Sequence, residues 1–183
     1  MKSLLVCTGL LLAAAVVSAQ TPAPKPPPKS PAATASVNNA GKSITITYSS
    51  PRVNGRAGHL FGKDGQIGHD PTYPVWRAGA NSATALHTDS DLSIGSLSVP
   101  KGDYTLYVDV SDPDNWILVV NTQTGQWGTK YDKTKDLGRV PMTMSKPAET
   151  VENLTYTITG PGSKGTISLA WENHIGTVHY TVH

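Results

Sequence analysis

Three of the four arginines, Arg52, Arg56 and Arg77, fall between Pro51 and Asn81, in the company of His59, Phe61, His69, Tyr73 and Trp76. Guanidinium forks bind carboxylate, phosphate or sulfate groups in two-pronged fashion, and aromatic faces stack on sugars or cations. The three arginines with Tyr73, Trp76 and Trp127 suit an acidic small molecule, an acidic glycan or a peptide carboxyl terminus, while Phe61 prefers burial. Arginine beneath a long loop has a competing use. Its five N–H groups can satisfy irregular backbone carbonyls and pair with Asp70, Asp136 or Glu172. The division expected is that Arg52 and Arg77 hold the loop, while Arg56 and His59 face outward.

Two further polar residues belong to this set. Asn81 closes Gly79-Ala80-Asn81, where its amide can bond nearby backbone. Glu172 follows Trp171 in an alternating segment, so it faces away from a core tryptophan. A carboxylate placed there is a general base, a ligand anchor or the counter-ion of Arg77. No second carboxylate is spaced to complete an acid/base pair, so glycosidase chemistry lacks its partner.

Metal and nucleophile chemistry are less well supplied. The six histidines show no tight ligand spacing, which leaves His59 and His69 as the secondary metal candidates. Met142 and Met144 would share a strand face, as a soft pair for Cu(I) or as core filler. Cys7 is the lone cysteine, and no Gly-x-Ser-x-Gly elbow or glycine-rich phosphate loop occurs. No cofactor is expected.

The elements that must position these residues are strands. Ile44, Ile46 and Tyr48 alternate with Ser43, Thr45 and Thr47, the period of a half-buried strand. Similar short segments cover Thr84–Thr88, Leu92–Val99, Tyr104–Val110, Val140–Met144, Leu154–Ile158, Ile167–Trp171 and Val178–Val182. Trp116–Val120 is apolar on both parities, as a strand covered on both faces would be. Glycine and proline punctuate the chain, and no window carries a helical period. The fold class expected is all-β: an antiparallel β-sandwich of jelly-roll or immunoglobulin-like type, with about eight to ten short strands. Residues 51–81 then form one long irregular loop, and loops of that length are usually functional.

Residues 1–19 have the charge, apolar run and small-residue ending of a signal peptide cleaved after Ala19. Residues 20–36 are rich in Pro, Ala, Ser and Thr and hold no larger aliphatic, so a disordered linker is expected, with a β-sandwich domain over 37–183. Export, periplasmic or extracellular, follows from the leader. The mature chain would keep 183 − 19 residues, no cysteine, and therefore no disulfide and no membrane span. Of the 15 Lys and Arg, three precede residue 37, whereas all 13 acids follow it, so the domain carries 12 basic and 13 acidic groups. That balance excludes a nucleic-acid binder.

Six motifs occur in a familiar order: Tyr48-Ser-Ser-Pro-Arg-Val-Asn-Gly-Arg56, Val75-Trp-Arg-Ala-Gly-Ala-Asn81, Pro100-Lys-Gly-Asp-Tyr-Thr-Leu106, Asn115-Trp-Ile-Leu-Val-Val-Asn121, Gln126-Trp-Gly128 and Leu169-Ala-Trp-Glu172. From Val37 to Val182 the chain resembles the bacterial family called domain of unknown function 2911. The resemblance implies an exported single-domain β protein and supplies no activity, substrate or cofactor. The family pattern has Glu after Gly-Ala-Asn, where this chain has Ser82. The function expected is a non-catalytic binding or structural module of the cell envelope, for a small anionic ligand or an envelope glycan. Its alternative is an extracytoplasmic hydrolase, with or without a metal, using Glu172 and a loop His.

Overall fold

The computed structural model describes residues 28–39, 41–160 and 162–183. The expected leader and most of the expected linker lie outside them. In chain order the first strands are β1 (Ala32–Asn39), β2 (Lys42–Ser49), β3 (Val75–Trp76), β4 (Thr84–Thr88), β5 (Leu92–Ile94), β6 (Leu97–Val99) and β7 (Gly102–Asp109). They are followed by β8 (Ile117–Asn121), β9 (Asp136–Pro141), β10 (Thr143–Ser145), β11 (Val151–Thr159), β12 (Lys164–Glu172) and β13 (His174–Val182). One sheet runs β1-β2-β4-β7-β8-β9, with β3 continuing the lane of β4 against β7. The other runs β11-β12-β13-β5-β6, with β10 sharing the β5 side of β13. Every pairing is antiparallel, and the inner faces of the two sheets contribute to one core.

The period-two pattern places the core as anticipated. Ile44, Ile46 and Tyr48 of one sheet share a core with Leu154, Tyr156, Ile167 and Leu169 of the other, and Tyr48 meets Tyr156 edge to face at 4.9 Å. The double apolar parity of β8 is also explained: Leu118 and Val120 enter the main core, while Val119 joins Val75 and Tyr107 on the outer face. That outer patch is roofed by Tyr131, whose hydroxyl meets Asp136, and Arg139 ties Tyr131, Asp136 and Asp109 together. Burial, aided by the bond to Asp136, pushes the Tyr131 hydroxyl up to about 12.

Four expectations are corrected. Strand β1 starts at Ala32, inside the stretch read as linker, because Ala33, Ala35 and Val37 pack inward while the backbone pairs with β2. At a sheet edge, alanine supplies enough apolar surface. Among the described residues thirteen strands form instead of eight to ten, through very short ones such as β3 and β10. The Val140–Met144 segment is two strands in different sheets, with the chain crossing between them at buried Met142. Met142 is therefore a core residue at a crossover and forms no strand-face pair with Met144. The 51–81 stretch is also interrupted, by a single 3-10 turn at Ile67–His69 and by β3.

Candidate functional site

The irregular segment after β2 folds as a lid across one end of the sandwich. Pro51, Val53, Leu60 and Ile67 are buried beneath it. Its backbone is satisfied by short internal bonds, among them Arg56 N to Val53 O, His59 N to Arg56 O and Ile67 N to Leu60 O. Arg56 completes the set. Its Nε donates to Val53 O at 2.8 Å, and its two terminal nitrogens donate to Gln66 Oε1 and Arg52 O. This reverses the expected division. Arg56 holds the loop, whereas the Arg52 side chain is exposed and, among the described residues, takes part in no hydrogen bond or ion pair. Only the Arg52 backbone is fixed, through its bridge to Asn153.

Arg77 behaves as anticipated, with Asp70 rather than Glu172 as its partner. The two side chains form an ion pair while 16% and 6% exposed, and Nη1 reaches Asn81 O at 3.4 Å. The Arg77 side chain lies against Gly128, where a Cβ would collide with its Cδ and sit 2.6 Å from Asn81 O. Gly128 N donates to Asn81 O (3.0 Å), Ala83 N donates to Gln126 O (3.2 Å), and Ser82 bridges Trp127. The motifs Arg77-Ala-Gly-Ala-Asn81 and Gln126-Trp-Gly128 are thus one docked unit. Within it, Ala78 (φ 49°) and Asn81 (φ 61°) adopt left-handed backbone that side chains normally avoid. The Ala78 carbonyl is held by Thr84 Oγ1 and the Tyr156 hydroxyl, which fixes that geometry.

Glu172 has a different position from the one its sequence context suggested. It turns β12 into β13 at φ 55°, is 2% exposed, and accepts from Gly58 N. Its second oxygen is 3.5 Å from His174 Nδ1, in ion-pair range but outside hydrogen-bond geometry, so that ring nitrogen is buried without a hydrogen-bond partner among the described residues. Burial pushes the His174 imidazole below its ordinary value, against the pull of Glu172 and Asp114. Phe61, at the tip of the lid, packs on His174 (4.6 Å), Trp116 (5.1 Å), Trp171 (5.8 Å) and Trp76 (5.9 Å). Trp76 and Trp171 stack on each other at 5.7 Å. In the sequence Phe61 has no role beyond burial, and His174 enters only as one of six histidines without ligand spacing. No local spacing signals that these five rings meet.

Between the lid, the docked unit and Pro28–Ser30 lies an open cleft of about 890 Å³. Of the expected site residues, Arg52, Arg56, Trp76, Arg77, Asn81 and His69 line it, whereas His59, Tyr73, Trp127 and Glu172 are outside its walls. Trp127 is 54% exposed, on the turn docked beside Asn81. Lys29, Asn54 and Gln66 also contribute to the lining; Asn54 falls in the Tyr48–Arg56 motif, whereas no motif announces Lys29 or Gln66. Asp70, already bound to Arg77, is the cleft's acid against Lys29, Arg52, Arg56 and Arg77. His59 and His69 are both exposed, and among the described residues no group of three His, Cys, Asp or Glu is arranged to hold a metal. Among these residues, no helix is long and apolar enough to cross a membrane.

By architecture this is an all-β antiparallel sandwich with a cleft lined by Lys29, Arg52, Arg56 and Arg77 on its loops. The chain belongs to the family described as protein of unknown function (DUF2911), whose model matches residues 30–179. No curated protein and no solved structure gives a significant match.

Proposed function

We propose that this is an exported, non-catalytic binding module of the bacterial envelope that takes a small anionic ligand or an acidic envelope glycan in the cleft. The observation that carries this reading is Arg52. It is a cation with no internal partner among the described residues, in a cleft whose other arginines are engaged in holding the walls. A cleft of about 890 Å³ is in the size range of small-molecule sites. Strained backbone at Ala78 and Asn81 adds support, since such geometry concentrates at ligand clamps. The hydrolase alternative draws less support, because a general base must reach its substrate and Glu172 is buried away from the cleft.

Titration calorimetry with sugar acids, acidic oligosaccharides and neutral sugars tests the reading. Binding confined to the acids, weakened by salt and removed by Arg52→Ala, is the expected result. Silence across the whole acidic panel rejects it. Export is checked separately by sequencing the mature protein, which should begin at Gln20.

A further inference from the structure

Lys29 and Arg52 bring two positive charges to the same cleft. The chain path explains the juxtaposition. Ala32 lies opposite Ser49 at the open end of the β1–β2 ladder, and one rung further out Ser50 N still donates to Pro31 O at 2.8 Å. The residues leading into β1 are thereby laid beside Pro51 and Arg52. Both cationic side chains are exposed, and the ion pairs among the described residues involve neither of them. Of the neighbouring acids, Asp70 is paired with Arg77, and Glu152 accepts the backbone N–H of Asn54 and enters no ion pair among the described residues. Like charges held on adjacent runs repel unless an anion comes between them.

We propose that Lys29 and Arg52 form a two-cation clamp for a saccharide carrying at least two carboxylates, and that its closure holds Pro28–Pro31 against the cleft. This rests on the binding reading above. The Arg52 fork takes one carboxylate in two-pronged fashion, and Lys29 meets the other as a compact point charge. The exposed amides of Asn54 and Asn81, which line the same cleft, suit the hydroxyl groups between them. Because half of the clamp belongs to the incoming segment, ligand affinity and the order of that segment are coupled, each favouring the other.

Trypsin reads this directly on the full chain. Between Gln20 and Pro31 the basic residues are Lys25 and Lys29, and Pro26 blocks cleavage after the first, so Lys29–Ser30 is the susceptible bond. The probes are tri-galacturonate, mono-galacturonate and a neutral trisaccharide of glucose. Saturating tri-galacturonate is expected to slow cleavage after Lys29 about tenfold or more, the neutral sugar to leave it unchanged, and Lys29→Ala or Arg52→Gln each to weaken trimer binding about tenfold. Both substitutions are at exposed positions, and an unchanged melting temperature verifies that the fold survives them. Trimer binding without protection, or without loss in Lys29→Ala, overturns the clamp while leaving the binding reading in place. Equal protection by the monomer overturns the requirement for two carboxylates. Failure of both acids to bind overturns the clamp, and the binding reading falls only with silence across the whole acidic panel.

Discussion

Arg56 and Arg52 are four residues apart and do opposite things. The Arg56 guanidinium bonds Val53 O, Gln66 Oε1 and Arg52 O, whereas the Arg52 side chain is exposed at the cleft wall. Arg56→Ala should lower unfolding stability by about 1–3 kcal/mol in urea titration, since Val53 O, Arg52 O and Gln66 Oε1 lose a charged donor. Arg52→Ala should change stability by less than about 0.5 kcal/mol while removing anion binding. Two histidines provide a second contrast, in pH. His87 bonds Asp103 (2.8 Å) and Asp89 (3.0 Å) through its two nitrogens, and those bonds raise its proton affinity. Its contribution to stability is complete below the unfolded value of roughly 6.5 and is lost as pH rises through the folded one. Asp89 is held at about 2, first by Ser43 and then by His87, so its contribution is complete above roughly 3.9 and disappears as pH falls through that low value. The surface clamp therefore works best between roughly pH 4 and 6.5. His174 has the opposite sign: buried and lowered, it takes up its proton more readily when unfolded, so stability falls as pH drops below roughly 6.5. Melting curves of His87→Gln and His174→Phe across pH 4–8 should separate the two, the first flattening the alkaline side and the second the acid side. A parallel loss of both slopes in either variant would contradict this assignment.

Among the elements, the informative joint is the one between Arg77-Ala-Gly-Ala-Asn81 and Gln126-Trp-Gly128. Gly128→Ala should collide with Arg77 Cδ and cost about 1–3 kcal/mol, measured by denaturant unfolding. Arg77→Ala in the same chain should recover part of that loss, because the collision partner is gone, so the double variant should be less destabilised than the sum of the two singles. Strict additivity would show that the contact does not matter. These motifs were legible in the sequence as separate patterns, since each has distinctive residues, but their contact was not, because nothing in either run points to the other. The same limit governs Phe61, whose partners come from β3, the Trp116 turn and the β12–β13 hairpin. Alternation revealed β2, β11 and β12, where one face is polar. It missed β3, which is two residues long, and it merged β9 with β10, because hydrophobic rhythm continues through Met142 while the chain changes sheets. The roles of Arg52 and Arg56 were exchanged for a related reason: composition places both in one loop and does not say which guanidinium turns inward.

For the whole molecule, the boundary of the folded unit is the main revision. Composition put it at residue 37, and the backbone ladder puts it at Ala32, where alanines and small polar residues make an edge strand that periodicity of large side chains does not register. A variant lacking residues 1–36 removes five of the eight β1 residues and bares the edge of β2. It should melt several degrees lower and associate at high concentration by size-exclusion chromatography. A variant lacking residues 1–30 should do neither, and equal melting of the two would return the boundary to residue 37.

The direction of β1 matters for load. Its first rung is Ala32 with Ser49, at the open end of a hairpin whose closed end is at Asn39 and Lys42. A pull transmitted through the residues ahead of Pro28 therefore reaches the fold at a free end, where rungs open one after another, as in a zipper, and no set of them shares the strain. The first to yield are the Pro31–Ser50 and Ala32–Ser49 contacts, which also place Lys29 beside Arg52. Tension on the N-terminal side would dismantle the cleft wall well before it reached the sandwich core, making this end of the protein its mechanical fuse.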